Sequence, residues 1–161
     1  VLFKIGDYIT HPMHGAGVIE SIVTKKINGS QRDYYVLKLP VGDMVVMVPV
    51  SGCEDIGVRS IISRSEAEKL FSAFSEIEIS MTQNWNKRYR ENMDKIKSGN
   101  LLDVASVVKG LMCRDSERGL STSERKMLHS AKQILISELV IATDMDYDGV
   151  EKRLCAALKE G

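Results

Sequence analysis

The chain has 161 residues, of which 43% are hydrophobic and 27% charged, and its 22 basic and 22 acidic side chains give a formal net charge of zero. This composition is typical of a globular protein with one ordinary domain or two small ones, and the lack of an apolar run of about 18 residues excludes a membrane-spanning helix. Three well-separated cysteines fit reduced thiols better than a disulfide framework, and residues 1–7 lack the apolar region of a secretory signal, so we expect a soluble, cytoplasmic protein.

The first sixty residues have the pattern of antiparallel β-strands. Residues 17–27 and 32–39 are rich in β-branched and aromatic residues and flank Asn28-Gly29, a strong hairpin signal. Residues 44–50 predict a third long strand, with shorter strands at 5–10 and 56–58. We therefore expect residues 1–60 to form a small, strongly bent sheet, a Tudor- or SH3-like antiparallel β-barrel.

The remaining residues, 61–161, have the 3.6-residue period of helices. A capping box at Ser63 and Glu66 predicts a helix to about residue 74, and residues 80–83 are expected to cap a second helix that ends near residue 98. Asn100 or Asp103 is expected to start a third helix. Residues 121–124 cap a long fourth to about residue 142, and a last helix ends near residue 158. The overall prediction is an α+β protein whose second part is an all-α domain of four to five helices.

The only tryptophan, Trp85, lies beside the cations Lys87, Arg88 and Arg90. Residues 79–133 hold eleven basic against six acidic side chains, whereas residues 138–161 hold three against six. A flat apolar ring beside cations can lie against stacked bases while the charges contact phosphates, so this pattern suggests nucleic-acid binding. Arg125, just inside the predicted fourth helix, is a further candidate because helix starts favour anions.

Helical spacing also allows a different interpretation of the tryptophan. Met81, Trp85, Tyr89, Met93 and Ile96 fall in one arc of a helix, which is typical of a buried core stripe. Because the ring lies near the predicted start of the helix, it could instead project past the bundle. The residues alone leave both possibilities open.

Candidate metal and catalytic groups lack complete sets. His11 and His14 are three residues apart without a third ligand at motif spacing, and residues 144–149 resemble half of a calcium loop whose twelfth position is Cys155 instead of a carboxylate. We expect the histidines to belong to a turn and Asp146 or Asp148 to cap a helix. Nucleophile and P-loop motifs are absent, so we expect no enzyme activity, cofactor, metal or small-molecule substrate.

Several motifs resemble those of the CarD/CdnL family of bacterial transcription regulators. They span nearly the whole chain in order, and the first part is also similar to the polymerase-interaction module of transcription-repair coupling factors. The matching segments are FKIGD at 3–7, HPMHGA at 11–16, YVLK at 35–38, NW-x-KRY at 84–89, RD-x-ERGLS at 114–121, ERKML at 124–128 and AKQIL at 131–135.

The resemblance implies that the Tudor-like part binds the β subunit of bacterial RNA polymerase through a sheet edge and that the helical part binds DNA. Met47 departs from the family pattern, in which some members have an arginine. The polymerase-binding positions implied by the resemblance are Lys25, Ile27, Val45 and Met47, and the DNA-binding positions are Trp85, Lys87, Arg88, Arg90 and Arg125.

The implied function is a non-enzymatic activator of transcription initiation that acts with RNA polymerase in the nucleoid. In this hypothesis Trp85 wedges into the minor groove at the upstream edge of the melted promoter, largely independently of sequence, and stabilises the open complex. The alternative is an adaptor that bridges polymerase to another factor without contacting DNA, with Trp85 buried in the helical core.

Overall fold

The computed structural model describes residues 2–79 and 81–160, and within them the chain folds into an antiparallel sheet followed by a helical part, which confirms the α+β class. The sheet has five strands in the order β4-β3-β2-β1-β5. The strands are β1 (Tyr8–His11), β2 (Gly15–Ile27), β3 (Ser30–Leu39), β4 (Met44–Pro49) and β5 (Arg59–Ser60).

The long β2–β3 hairpin forms as predicted at Asn28-Gly29. Both residues have positive φ, 53° and 80°, which is the backbone conformation of the two-residue turn that matches the twist of paired strands. Alternate side chains of β3 then point to opposite faces, and Tyr35, Leu37 and Leu39 are buried on the inner face. The turn chemistry therefore sets the register that decides which face of the sheet is free.

The predicted Tudor-like antiparallel sheet is confirmed, but it is open where a barrel was expected. Strands β4 and β5 form its two edges, and each pairs with a single neighbour. Strand β5 has only two residues, and the segment before it forms a short helix, α1 (Cys53–Ile56), where residues 56–58 were expected to be a strand. With so short an edge strand, few backbone groups remain to close the sheet against β4.

Five further helices follow, consistent with the four to five predicted. Ser63 and Glu66 form the predicted capping box, and the side chain of Asn100 accepts hydrogen bonds from the start of its helix. The prediction that residues 80–83 cap the second long helix fails: Ser80 lies outside the described residues, and the cap is Asn84. The helices are α2 (Arg64–Glu76), α3 (Trp85–Lys97), α4 (Leu101–Arg118), α5 (Thr122–Thr143) and α6 (Tyr147–Glu160).

The buried hydrophobic residues form two cores, one from residues before β5 in the chain and one from residues after it. One consists of sheet residues between Phe3 and Val58, and the other of helical residues between Ala67 and Ala157. Helix α5 packs along β2 and brings the two parts together. Within residues 2–79 and 81–160, every helix is too short or too polar to cross a bilayer.

Gly17 allows β2 to approach the backbone of β3 closely. A Cβ added at this position would lie 2.2 Å from the carbonyl oxygen of Lys38, which cannot move without disturbing the sheet. A Cβ at Gly110, in α4, would instead meet the flexible end of Met81. The two glycines therefore differ in what an added methyl group displaces.

We expect Gly17→Ala to lower the free energy of unfolding by about 1–3 kcal/mol, because overpacking against backbone forces a strand to shift. Gly110→Ala is the matched control: it gains up to about 1 kcal/mol of helix propensity, which offsets the displacement of Met81. Urea denaturation of both variants measures the difference. Equal destabilisation by the two substitutions would contradict this account of Gly17.

Candidate nucleic-acid and polymerase-binding surfaces

Trp85 is the first residue of α3 and is 40% exposed. Its ring stacks on that of Tyr89, one helical turn later, with the centroids 5.2 Å apart and the planes inclined by 19°. The indole Nε1 donates a hydrogen bond of 3.4 Å to Oγ of Ser121, the N-cap of α5. The ring is thus held at the place where the starts of α3 and α5 meet.

The exposure of Trp85 decides between the two interpretations of the stripe. Met81 precedes the helix, while Ile96 is buried and Tyr89 and Met93 are partly buried against the helical core. Trp85 lies at the end of this stripe, where α3 has no further turn to cover it. The alternative in which Trp85 is buried in the core is therefore wrong.

Arg88 cannot act as the DNA contact that the sequence suggested, because its side chain is only 2% exposed. Its Nε and Nη2 donate to the two carboxylate oxygens of Glu124 at 2.9 and 3.3 Å, and Nη1 donates to the carbonyl oxygens of Thr82 and Gln83, both at 3.2 Å. The guanidinium group is fully occupied inside the protein. We therefore correct the role of Arg88 to that of joining the start of α3 to α5.

Glu124 is a buried carboxylate shared by two arginines. Besides its bonds to Arg88, it has Nε of Arg114 at 4.0 Å and accepts a hydrogen bond of 3.3 Å from Ser121. Burial raises the pKa of Glu124, but the hydrogen bond and charge of Arg88, with smaller contributions from Arg114 and Ser121, outweigh it and hold the pKa below its usual value. One carboxylate between two guanidinium groups gives this cluster a net positive charge.

Exposed cations are found on both helices whose starts meet at the tryptophan. Lys87 and Arg90 are on the solvent face of α3, about 140–160° around the helix from Trp85. Arg125 is exposed on α5, one turn after Ser121, and its neighbour Lys126 is exposed as well. Lys87 makes only a weak contact of 4.0 Å with Glu91, so its charge remains accessible to solvent. Of the five predicted DNA-binding residues, Arg88 is buried, whereas Lys87 and Arg90 are exposed on a face of α3 turned away from Trp85.

Sequence reasoning missed the supporting role of Ser121, Glu124 and Arg114. The capping signal at Ser121 and Glu124 was visible and places Ser121 correctly as an N-cap that accepts from the backbone of Glu124 at 3.2 Å. The carboxylate of Glu124 points to Arg88 instead of closing a capping box. The signal that could have revealed the Glu124–Arg88 pair is an acidic residue at a capping position together with arginines near the start of another helix.

The four predicted polymerase-binding residues lie on one face of the sheet. Cross-strand partners share a face, and the register pairs Lys25 with Arg32 on β3 and pairs Val45 and Met47 on β4 with Lys38 and Val36. This face is opposite the buried side chains of β3. We call it the outer face, and its residues include Val23, Lys25, Ile27, Arg32, Tyr34, Val36, Lys38, Val45 and Met47.

The outer face combines apolar side chains with unbalanced positive charge. Val45 is 61% exposed, Ile27 is also exposed, and Met47 is partly buried between neighbours. Lys25 stands directly opposite Arg32, and like charges in such a pair destabilise a sheet. Strand β4 borders this face and leaves its outer edge free of strand pairing within the described chain. An acidic partner with an extended segment would satisfy both features.

The two histidines form the turn that the sequence suggested. His11 ends β1 and His14 lies in the turn to β2, with their ring centroids 4.6 Å apart, and Nδ1 of His11 accepts a hydrogen bond from the backbone of Met13 at 3.0 Å. Burial, and then the proximity of His14, lower the pKa of His11. Asp146 caps α6 by accepting from Gly149 at 2.8 Å. Among the residues that the structure describes, no three ligating side chains come together as a metal site.

Comparison with known proteins identifies both parts of the chain. The family model described as "CarD-like/TRCF RID domain" matches residues 3–62, and "CarD, C-terminal domain" matches residues 69–155. The Bacillus subtilis (strain 168) protein named "Putative transcription factor YdeB" is 38% identical over 140 residues, which cover 87% of this chain and 92% of that protein. The resemblance inferred from the motifs is thereby confirmed.

We expect Glu124→Gln to lower the free energy of unfolding by about 3–5 kcal/mol at neutral pH, because it leaves the buried Arg88 without a countercharge. The folded pKa of Glu124 is lowered, so its contribution is complete above the ordinary pKa and is lost as the pH falls through the folded value. The difference in unfolding free energy between wild type and variant should therefore decrease as the pH falls. Urea denaturation across the acidic range measures it, with the exposed Glu117→Gln as control, and a gap independent of pH would contradict the assignment.

Proposed function

Because the chain belongs to the CarD family of transcription regulators, we propose that it binds the β subunit of bacterial RNA polymerase and stabilises the open promoter complex. The match to the CarD-like/TRCF RID domain points to an interaction with RNA polymerase. We further propose that the polymerase partner is the β subunit, that the chain contacts DNA and that it stabilises the open complex.

Polymerase binding is assigned to the outer face and the edge of β4. An extended segment of the partner can add to a free strand edge through backbone hydrogen bonds, while neighbouring side chains give specificity. The exposed Val45 and Ile27 provide apolar contact, and the facing cations Lys25 and Arg32 favour an acidic partner. Met47 supplies apolar contact where some family members have an arginine, so binding here depends more on Lys25.

DNA binding is assigned to Trp85 and the exposed cations of α3 and α5. A large apolar side chain that enters the minor groove at a distorted base step can hold that step open. Arg125 on α5, and Lys87 and Arg90 farther around α3, can contact phosphates and so position the ring without sequence preference. The adjacent N-termini of α3 and α5 add partial positive charge where a phosphate would approach.

Because the chain has zero net charge, its binding to DNA depends on its attachment to polymerase. Unstacking a base step costs a few kcal/mol, and about three phosphate contacts give only weak, salt-sensitive affinity for free duplex. Attachment to polymerase raises the local concentration of Trp85 at DNA that the enzyme has already opened. The single observation that carries the proposal is an exposed indole, held at the junction of two helix starts.

We expect Trp85→Ala to shorten the lifetime of the promoter bubble to that measured without the protein, while polymerase binding is unchanged. The ring is partly exposed, so the substitution should cost about 1–2 kcal/mol of stability, less than the loss of a buried tryptophan. Leu102→Ala, which truncates an exposed apolar residue at the start of α4, is the matched control and should leave the lifetime unchanged. Full activity of Trp85→Ala would refute the wedge and leave an adaptor role as the alternative.

We expect Lys25→Glu to abolish polymerase binding at concentrations where the wild type is saturated, and with it the effect on the bubble. The new carboxylate faces Arg32, which favours the folded sheet, so the loss cannot be ascribed to unfolding. Lys26→Glu makes the same change of charge on the opposite face and should bind normally. Equal binding by both variants, measured with purified polymerase, would exclude the outer face as the binding surface.

A further inference from the structure

Glu138, on α5, is a fully buried carboxylate that joins the helical part to the sheet part. Its exposure is 0%, and its oxygens accept hydrogen bonds from Nη1 and Nη2 of Arg59 at 2.7 and 3.0 Å and from the backbone of Ile62 at 2.8 Å. Nε of Arg59 also donates to the carbonyl oxygen of Gly99 at 3.0 Å. Strand β5 and the segment that leaves it are thereby attached to the helical bundle.

A second contact one residue earlier on α5 holds the start of β2. Oγ of Ser137 accepts from the backbone of Ala16 at 2.9 Å and donates to the carbonyl oxygen of Ile134 at 2.9 Å. Gly15 makes this approach possible, because a Cβ at that position would lie 2.5 Å from the same oxygen. Two separate points of the sheet are therefore fixed to adjacent residues of one helix.

The other end of α5 holds the start of α3, where Trp85 lies. Ser121 accepts a hydrogen bond from the indole, and the carboxylate of Glu124 accepts hydrogen bonds from Nε and Nη2 of Arg88. Glu124 and Glu138 are on the same helix and about 21 Å apart at 1.5 Å per residue. Each end of a single stiff element is thus anchored by a buried glutamate that pairs with an arginine.

We propose that α5 is a rigid strut that fixes the position of Trp85 relative to the outer face, with Glu138 as the positioning residue at the sheet end. This inference rests on the proposed function for its consequence. A flexible tether would only concentrate Trp85 near DNA, whereas a strut restricts the ring to one place relative to bound polymerase. A shift of one end would carry the ring away from the edge of the bubble.

The test compares Glu138→Gln with Glu68→Gln in the full chain. Glu68 forms a similar paired contact with Arg153, but on the surface between α2 and α6, so it is the matched control. Spin labels at the exposed positions 26 and 152, after replacement of the three native cysteines, report the distance between the two parts. Bubble lifetime, polymerase affinity and duplex affinity are measured on the same variants.

We expect one narrow distance distribution for wild type and Glu68→Gln and a broad one for Glu138→Gln. Bubble lifetime should fall by about fivefold or more in Glu138→Gln, the lower range of coupling between two sites, while both affinities are unchanged. Ser137→Ala removes one of the two contacts and should broaden the distribution less, which keeps the proposal testable if Glu138→Gln does not fold.

A narrow distribution in Glu138→Gln would show that this residue does not fix the orientation. A broad distribution with an unchanged lifetime would show that a tether suffices, and either result overturns the strut. Failure of the wild type to lengthen the bubble lifetime would instead refute the proposed function. The distance distributions would then still decide whether α5 fixes the two parts.

Discussion

The arrangement of the molecule depends on the burial of the Glu138 carboxylate between its sheet part and its helical part. A carboxylate removed from water is tolerated only when its oxygens are paired, and Arg59 and the backbone of Ile62 provide that pairing. Movement of one part relative to the other would separate Glu138 from Arg59 and leave a buried charge without a partner, which is energetically costly. Polar pairing, in addition to hydrophobic contact, therefore determines how the two cores are placed.

The arginines around Trp85 divide into structural and exposed groups. Arg88 is two residues from Arg90, but helical geometry turns one toward Glu124 and leaves the other in solvent. The buried arginine stabilises the start of α3, and the exposed cations remain available to phosphates. Stacking on Tyr89 and a hydrogen bond to Ser121 hold the indole of Trp85 in place while it remains exposed.

Local signals in the sequence predicted most of the fold, because they act over a few residues. Asn28-Gly29, the capping box at Ser63 and the cap at Asn100 all placed their elements correctly. The failures depend on distant partners. The burial of Arg88 requires Glu124, which is 36 residues away, and closure of the sheet depends on the length of β5. Charge patterning and periodicity do not show which distant residues come together. The exposure of Trp85 became clear only from the residue at which α3 begins.

The free edge of β4 has a consequence for the chain when no partner covers it. Unpaired strand edges are templates for other strands, including those of a second copy of the same protein. Exposed Met44 and Val45 add apolar area at this edge, and the strand is only six residues long. At high concentration, the edge of β4 in one copy of the chain can therefore pair with a strand of another copy.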